Sequence, residues 1–240
     1  MDPETSALLK SRAEYLGASY FGIADFIPVR DFIMAQGGPA IAGYPVAVSA
    51  GIDLPDALVE MLPATDTVAG ALLYHHHAYE VVNRELDRIA LHLAGALIRK
   101  GYRALPIAAS LRTDQAGICG PFSHKLAAHL AGIGWIGRNC LLVTPGHGPR
   151  VRFVTVLTDA PLAPAGVPME NRCGTCMACV ESCPVHAFSG REFNEEEPRE
   201  DRFNAALCDR YLTGRRSGSG VAVCGMCLWA CPHGRRPGGT

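Results

Sequence analysis

Apolar residues along the chain fall into two patterns. Short unbroken runs alternate with segments in which they recur every three or four positions, and this alternation predicts strands interleaved with helices. Residues 5–17 place Leu8, Leu9, Ala13 and Leu16 near one face, as an amphipathic helix does. YFGIADF predicts a short buried strand. The Gly- and Pro-rich stretch AQGGPAIAGYPVAVSAGIDLP predicts an irregular connection, with a substrate or cofactor loop as the other reading. TVAGALLYHHH predicts a buried strand ending in three histidines. Over residues 79–100, Val82, Leu86, Ile89, Leu93 and Leu97 recur at helical intervals, and Gly101 stands where it ends the helix. ALPIAAS predicts a strand and SHKLAAHLA a helix, while NCLLVTP and RVRFVTVLT predict a strand pair joined by the PGHGP turn. Helices alternating with strands imply an α/β layered core. Past residue 165 the text turns to cysteine motifs, an acidic loop and few long apolar runs, so two domains are predicted, 1–165 and 166–240.

Composition narrows the class. The chain has 240 residues, 48% hydrophobic and 19% charged, with no apolar run of roughly 18 residues, which predicts a soluble globular protein and no membrane partner. Its first residues carry acidic rather than basic charge, so a cytoplasmic location is expected. A net charge of -1, with only short basic pairs (Arg215 with Arg216, Arg235 with Arg236), argues against a broad nucleic-acid footprint. Eight of the ten cysteines lie from Cys173 onward, a placement that suits a metal domain better than a secreted disulfide scaffold.

RCGTCMACVESCPVHAF supplies Cys173, Cys176, Cys179 and Cys183 in the C-x2-C-x2-C-x3-C-P spacing of bacterial-type ferredoxins, whose fourth cysteine reaches a second 4Fe-4S cube. VCGMCLWACPHG adds Cys224, Cys227 and Cys231, and ALCDRYL adds Cys208. Crossed as in two-cluster ferredoxins, Cys173, Cys176, Cys179 and Cys231 form one set, and Cys183, Cys208, Cys224 and Cys227 the other. Cys208 stands outside either motif and is the weakest member. Three cysteines at successive two-residue gaps do not match the usual zinc spacing. Cys140, inside NCLLV, reads as a small buried hydrophobe. His75, His76 and His77 would alternate faces on a strand and read as pocket-rim or solvated residues, and His233 reads as cover for a cluster.

Upstream, HKLAAHLAGIGWIGRNCLLVTPGHGPRVRFVTVLTDAPL, joined to the cysteine set, resembles the epoxyqueuosine reductase family, and its TPGHGPRVRFVTVLTDAPL portion resembles corrinoid-dependent reductive dehalogenases. The resemblance implies a nitroreductase-like, cobalamin-binding α+β sandwich followed by a two-cluster ferredoxin-like domain. It further implies a low-potential donor such as a ferredoxin or flavodoxin, two 4Fe-4S clusters passing electrons one at a time, and a corrinoid that reduces a substrate. Gly132, Gly134 and Gly137 would let backbone approach the corrin ring, with Trp135, Arg138 and Asn139 lining it; a tight helix-to-strand turn is the other reading. Thr144, Gly146, Gly148 and Arg150 would contact the corrin's propionamide or nucleotide parts, or else form a hairpin turn. The family's proton-donating aspartate has no direct counterpart, because RTDQAGICGPFSHK puts Ile118 and Cys119 at that place. Asp114, Cys119 and His124 are left as candidate donors, with Tyr74 or Tyr79 acting in the dehalogenase manner. The chain stops soon after Cys231, whereas epoxyqueuosine reductases continue into helical repeats. With the near-neutral charge, this sets the expectation against tRNA and toward a small molecule or a partner protein's corrinoid. The rival reading is a ferredoxin-like electron-transfer protein.

Overall fold

The computed structural model describes residues 2–64, 68–164 and 166–235. In chain order its helices and strands are α1 (Pro3–Tyr15), β1 (Tyr20–Asp25), α2 (Arg30–Ala42), β2 (Val46–Asp53), α3 (Asp56–Val59), α4 (Val68–His75), α5 (Val82–Arg99), β3 (Ala104–Ile107), α6 (His124–Leu130), β4 (Trp135–Ile136), β5 (Leu142–Val143), β6 (Val151–Thr158), α7 (Ala178–Glu181), α8 (Ala205–Ser219) and α9 (Met226–Trp229). Two compact units result. The first joins Met1–Ile52, Val82–Ile133 and Arg152–Met169; the second joins Asp53–Val81, Gly134–Val151 and Glu170–Thr240. The cysteine-rich segment thus folds with two pieces of chain from upstream of residue 165.

The first unit is a four-stranded sheet, ordered β1-β2-β6-β3, with helices packed on it. β1 runs antiparallel to β2, from Tyr20 opposite Gly51 to Asp25 opposite Val46, and β3 runs antiparallel to β6, from Ala104 opposite Thr158 to Ile107 opposite Thr155. Pro106 is tolerated because β3 is an edge strand, where a missing N–H breaks no ladder. The predicted periodicity of α5 places Leu86, Ile89, Leu93 and Leu97 fully inside, and this stripe with Leu9 of α1 forms the aliphatic core. Gly22 lets β1 pass close under the end of α6, since a Cβ there would sit 2.8 Å from that of Ala131.

Three expectations are corrected. The Gly- and Pro-rich stretch is ordered: its first part belongs to α2, kinked where Gly38 takes φ +71 before Pro39, and its second is the inner strand β2. Small residues serve there because neighbours press in, and a Cβ on Gly51 would meet the Phe153 ring at 2.5 Å. VAGALLYH is helix α4, followed by a π-helical turn, His76–Val81; a short unbroken apolar run carries no period that separates strand from buried helix. NCLLVTP and RVRFVTVLT do not pair with each other. Instead β5 pairs with β4, Trp135 opposite Val143, while β6 enters the four-stranded sheet. The turn between them does close, with Thr144 bridged to Gly148, but Pro149 has no N–H with which to extend the ladder.

Helix α6 ends in a Schellman motif that accounts for the first glycine of GIGWIG. Gly132 N–H donates to the His129 carbonyl, Ile133 N–H donates to that of Ala128, and Gly132 takes φ +71. A Cβ at this position would also lie 2.9 Å from the backbone of Gly166 and Val167. Gly132→Ala is expected to destabilise the protein by at least about 1–2 kcal/mol, the strain of a left-handed non-glycine residue, read as a lower urea midpoint. An unchanged midpoint would assign this glycine to something other than the helix stop.

Candidate functional site

The second unit gathers the cysteines. Cys173 and Cys176 come from a loop, Cys179 from the short helix α7, and Cys231 from just beyond α9. Together they line one cleft with Arg138, Asn139, Val143, Pro232 and His233. Cys183, Cys208 and Cys227 meet in a separate apolar cluster with Ala187, Phe188 and Cys140. Electrostatics divides the thiols in the same way. Burial pushes the Cys179 thiol up to about 11, with Cys231, Cys173 and Cys176 adding to the shift. Burial likewise raises Cys208 to about 11, helped by Cys224 and Cys183. Cys227 is raised further, by burial first and then by Cys224, Cys208 and Cys183; Cys179 acts on it too, so the two sets adjoin.

This chemistry fits iron–sulfur cubes. Thiols that burial and mutual repulsion keep protonated become thiolates only when a cationic centre supplies the opposing charge. Arg138 Nε, buried and without a hydrogen-bond partner, belongs to a residue lining the cleft, where a cluster sulfur is an acceptor. A zinc ion would draw four sulfurs to about 2.3 Å from itself. Among the described residues no group of three His, Cys, Asp or Glu side chains is placed to hold a single metal ion.

The turn between β4 and β5 organises both sets. Gly137 backs onto Cys173, where an added Cβ would stand 3.6 Å from the sulfur. The Arg138 guanidinium donates to the Gly174 carbonyl (2.7 Å), to the Gly190 carbonyl and to Glu192 (2.8 Å), tying two loops that flank the first set. Asn139 donates to the Cys227 carbonyl at 3.0 Å and accepts from Leu141 N–H, which reaches the second set. Trp135 is fully buried, edge-on to His233 at 5.0 Å. Gly134 gives β4 its close approach to the Val143 carbonyl.

Arg150, 1% exposed, is no solvated turn residue. Its two Nη groups donate to Asp56 (3.0 Å) and Glu60 (2.6 Å). Trp229, from between Cys227 and Cys231, donates its indole N–H to Glu60 at 2.8 Å. Burial opposes the charge on Glu60, yet these hydrogen bonds prevail and hold its carboxyl below the ordinary value. Thr144 is buried and bonds across its own turn to the Gly148 carbonyl, and Gly148 packs against Gly234, whereas Gly146 faces open space. Asp56 and Glu60 escaped sequence reasoning, because nothing local links them to an arginine some ninety residues away.

The candidate proton donors divide. Asp114 and Cys119 are brought together: their backbones form an antiparallel bridge closing a solvent-facing loop, and the Cys119 thiol lies 3.9 Å from Asp114 Oδ2. His124 is engaged on both ring nitrogens. Nε2 contacts the Ala108 carbonyl at 2.9 Å and must carry the hydrogen, so Nδ1 accepts from the Thr155 hydroxyl at 2.8 Å. Tyr74 is 3% exposed and packs edge-on to Tyr79 at 6.2 Å. The histidine run sits at a helix end instead of on a strand, so Glu80 approaches both His75 (3.5 Å) and His76 (3.0 Å), a carboxylate partner the strand reading did not foresee. No helix among the described residues is long and apolar enough to cross a membrane.

Residues 172–234 match the 4Fe-4S double cluster binding domain. Over 92% of the chain, it is 26% identical to the epoxyqueuosine reductase of Vibrio cholerae, covering 58% of that protein. The chain spans about a third to three-fifths of the length of the curated relatives it matches. Among solved structures, a reductive dehalogenase described for B12-dependent dehalogenation superposes with a TM-score of 0.70 at 23% identity, over 95% of this chain and 31% of that one. An epoxyqueuosine reductase holding a modified tRNA stem loop superposes at 0.61 and 20% identity, over 98% of this chain and 66% of that one. The chain is thus similar to epoxyqueuosine reductases in sequence and shares the mixed α/β fold of both enzymes.

Burial lowers the pKa of His124 below its ordinary 6.5. The native state therefore refuses a proton that the unfolded chain accepts, so this contribution to stability is full above pH 6.5 and declines below it. In urea denaturation, the wild type should lose more stability between pH 7.5 and 5.5 than His124→Gln does. Equal losses would show that His124 is free to protonate in the fold.

Proposed function

We propose that the chain is an iron–sulfur reductase that passes single electrons through two 4Fe-4S clusters to a corrinoid that reduces a small substrate. It would resemble a short epoxyqueuosine reductase. One observation carries this reading: two four-thiol sets adjoin one another and are held by a single turn, an arrangement suited to relaying electrons and needless for a lone structural metal. Cys173, Cys176, Cys179 and Cys231 would bind one cube, and Cys183, Cys208, Cys224 and Cys227 the other. The sheet unit would be the nitroreductase-like, substrate-side domain, and a cytoplasmic ferredoxin or flavodoxin the donor.

Likeness to a B12-dependent dehalogenase supports the corrinoid. When bound, a corrinoid supplies a strongly reducing cobalt centre. Trp135, Arg138, Asn139, Thr144 and Arg150, which the resemblance assigns to it, are occupied in holding loops of their own unit. That engagement favours a second reading, an electron-transfer protein that reduces a corrinoid on a partner. Under the first reading the proton source is Asp114 with Cys119, whose loop reaches solvent; His124 and Tyr74 serve packing. The substrate would be a small molecule, with a modified tRNA as competitor because the epoxyqueuosine reductase structure holds one.

Anaerobic reconstitution followed by cobalamin titration tests the pair of readings. The wild type should take up iron and sulfide for two cubes, and Cys176→Ser about half of that. Cobalamin added to the loaded wild type should shift to the absorbance of its base-off form. An unchanged cobalamin spectrum would remove the first reading and leave the second. Iron for fewer than two cubes would remove both.

A further inference from the structure

The second thiol set has a neighbour that its ligand count does not use. Cys140 is 5% exposed and packs in one cluster with Cys183, against which Cys208 and Cys227 lie. Three of the four thiols of that set therefore belong to, or pack against, the cluster that holds a fifth. Cys140 is fixed by the turn that also fixes the second set: its N–H donates to the Gly137 carbonyl at 2.9 Å, and the adjacent Asn139 side chain is fastened to the Cys227 carbonyl. Cys208 is held differently. It comes from α8, outside both cysteine motifs, with no second ligand in its own segment to keep it near iron once a bond opens.

We propose that Cys140 is a reserve ligand of the second cube, able to take the iron otherwise held by Cys208. The inference rests on the two-cube reading above. In the exchange the Cys140 thiol gives its proton to solvent and its sulfur bonds to iron as the Cys208–iron bond breaks. The released Cys208 thiolate then takes a proton from solvent. Protons balance and no electron moves, so no oxidant or reductant is needed. A thiolate is the donor type that iron–sulfur clusters select, so a sulfur already beside the cube outcompetes water for the vacated position.

The test compares Cys140→Ala, Cys208→Ala and the double variant, each reconstituted anaerobically as full chain. Iron and acid-labile sulfide are measured per chain, with electron paramagnetic resonance of the reduced protein. Cys140→Ala should keep both cubes. Cys208→Ala should keep both as well, with an altered signal from the second cube, and only the double variant should fall to about half the iron. If Cys208→Ala loses as much iron as the double variant, the proposal is overturned. The first cube, whose ligands are untouched, reports whether each variant has folded. Should Cys208→Ala not fold, Cys208→Ser decides: a thiolate-type signal that disappears on adding Cys140→Ala supports the exchange, and an oxygen-ligated signal that persists defeats it. Wild-type iron below two cubes would instead defeat the two-cube reading itself.

Discussion

Everything in the cysteine unit depends on one short turn between two two-residue strands. Gly134, just before β4, lies too close to the Val143 backbone for a side chain, and Gly137 in the turn is pressed by the Asn139 and Val143 side chains, with the Cys173 sulfur next to it. The turn's side chains then point outward as donors, Arg138 to the loops around the first set and Asn139 to a ligand loop of the second. Three of these acceptors, on Gly174, Gly190 and Cys227, are main-chain carbonyls, and the Glu192 carboxylate adds a fourth tie that depends on a side chain. Charge-assisted hydrogen bonds of the Arg138 kind are about twice as strong as neutral ones, and buried donors lose more when their partner moves away. Both ligand loops are therefore referenced to the same few residues, and the two sets keep a fixed separation. In the proposed relay, electron transfer between the cubes would depend on that separation.

A buried charge does the same work elsewhere in the unit. An arginine with almost no solvent contact is tolerated only when it is paired and hydrogen-bonded, and Arg150 has two carboxylates from the neighbourhood of α3. Because Glu60 also accepts from Trp229, the ion pair reaches the segment that carries Cys227 and Cys231. Arg235 lies over the face of the same indole at 4.8 Å, adding a cation–π contact to the stack. Desolvation makes such a network weak as a source of net stability. Its value lies in specificity, since few alternative packings give Arg150 both partners at once.

Legibility in the sequence followed the range of the interaction that decides each feature. Ligand spacing is local, so the cysteine motifs were visible in the chain, and the fold brings Cys179 near Cys231, Cys173 and Cys176, and Cys208 near Cys224 and Cys183. Long amphipathic periods are local too, and α5 formed where its apolar stripe lay. VAGALLYH was misread because eight residues without polar interruption fit either geometry, and the choice is made by what packs around them. The strand pairing failed for a similar reason: β6 lies between β2 and β3, the nearer of them some fifty residues upstream, and no turn chemistry announces either. Arg150 looked like a hairpin residue because its carboxylates too are far along the chain. The glycines of GIGWIG were legible as close-approach positions, although what approaches them is the chain itself, backbone at Gly132 and Gly134 and side chains at Gly137.

The two units also differ in what stabilises them. In the first, fully buried leucines and isoleucines on α1 and α5 meet a sheet, so apolar burial of about 25 cal/mol per Å² suffices to explain its compactness. In the second, apolar side chains such as Leu54, Leu62 and Trp135 are buried too, but the interior also holds the thiols, which pack with Val180, Phe188 and Phe203. Thiols pushed well above neutral pH gain nothing by ionising there unless iron is present to receive the charge. Loading the clusters then releases protons and converts binding free energy directly into folding free energy, as in small metal-stabilised domains. The turn and the Arg150 network hold the thiols near their final places beforehand, which lowers the ordering entropy that metal binding must offset.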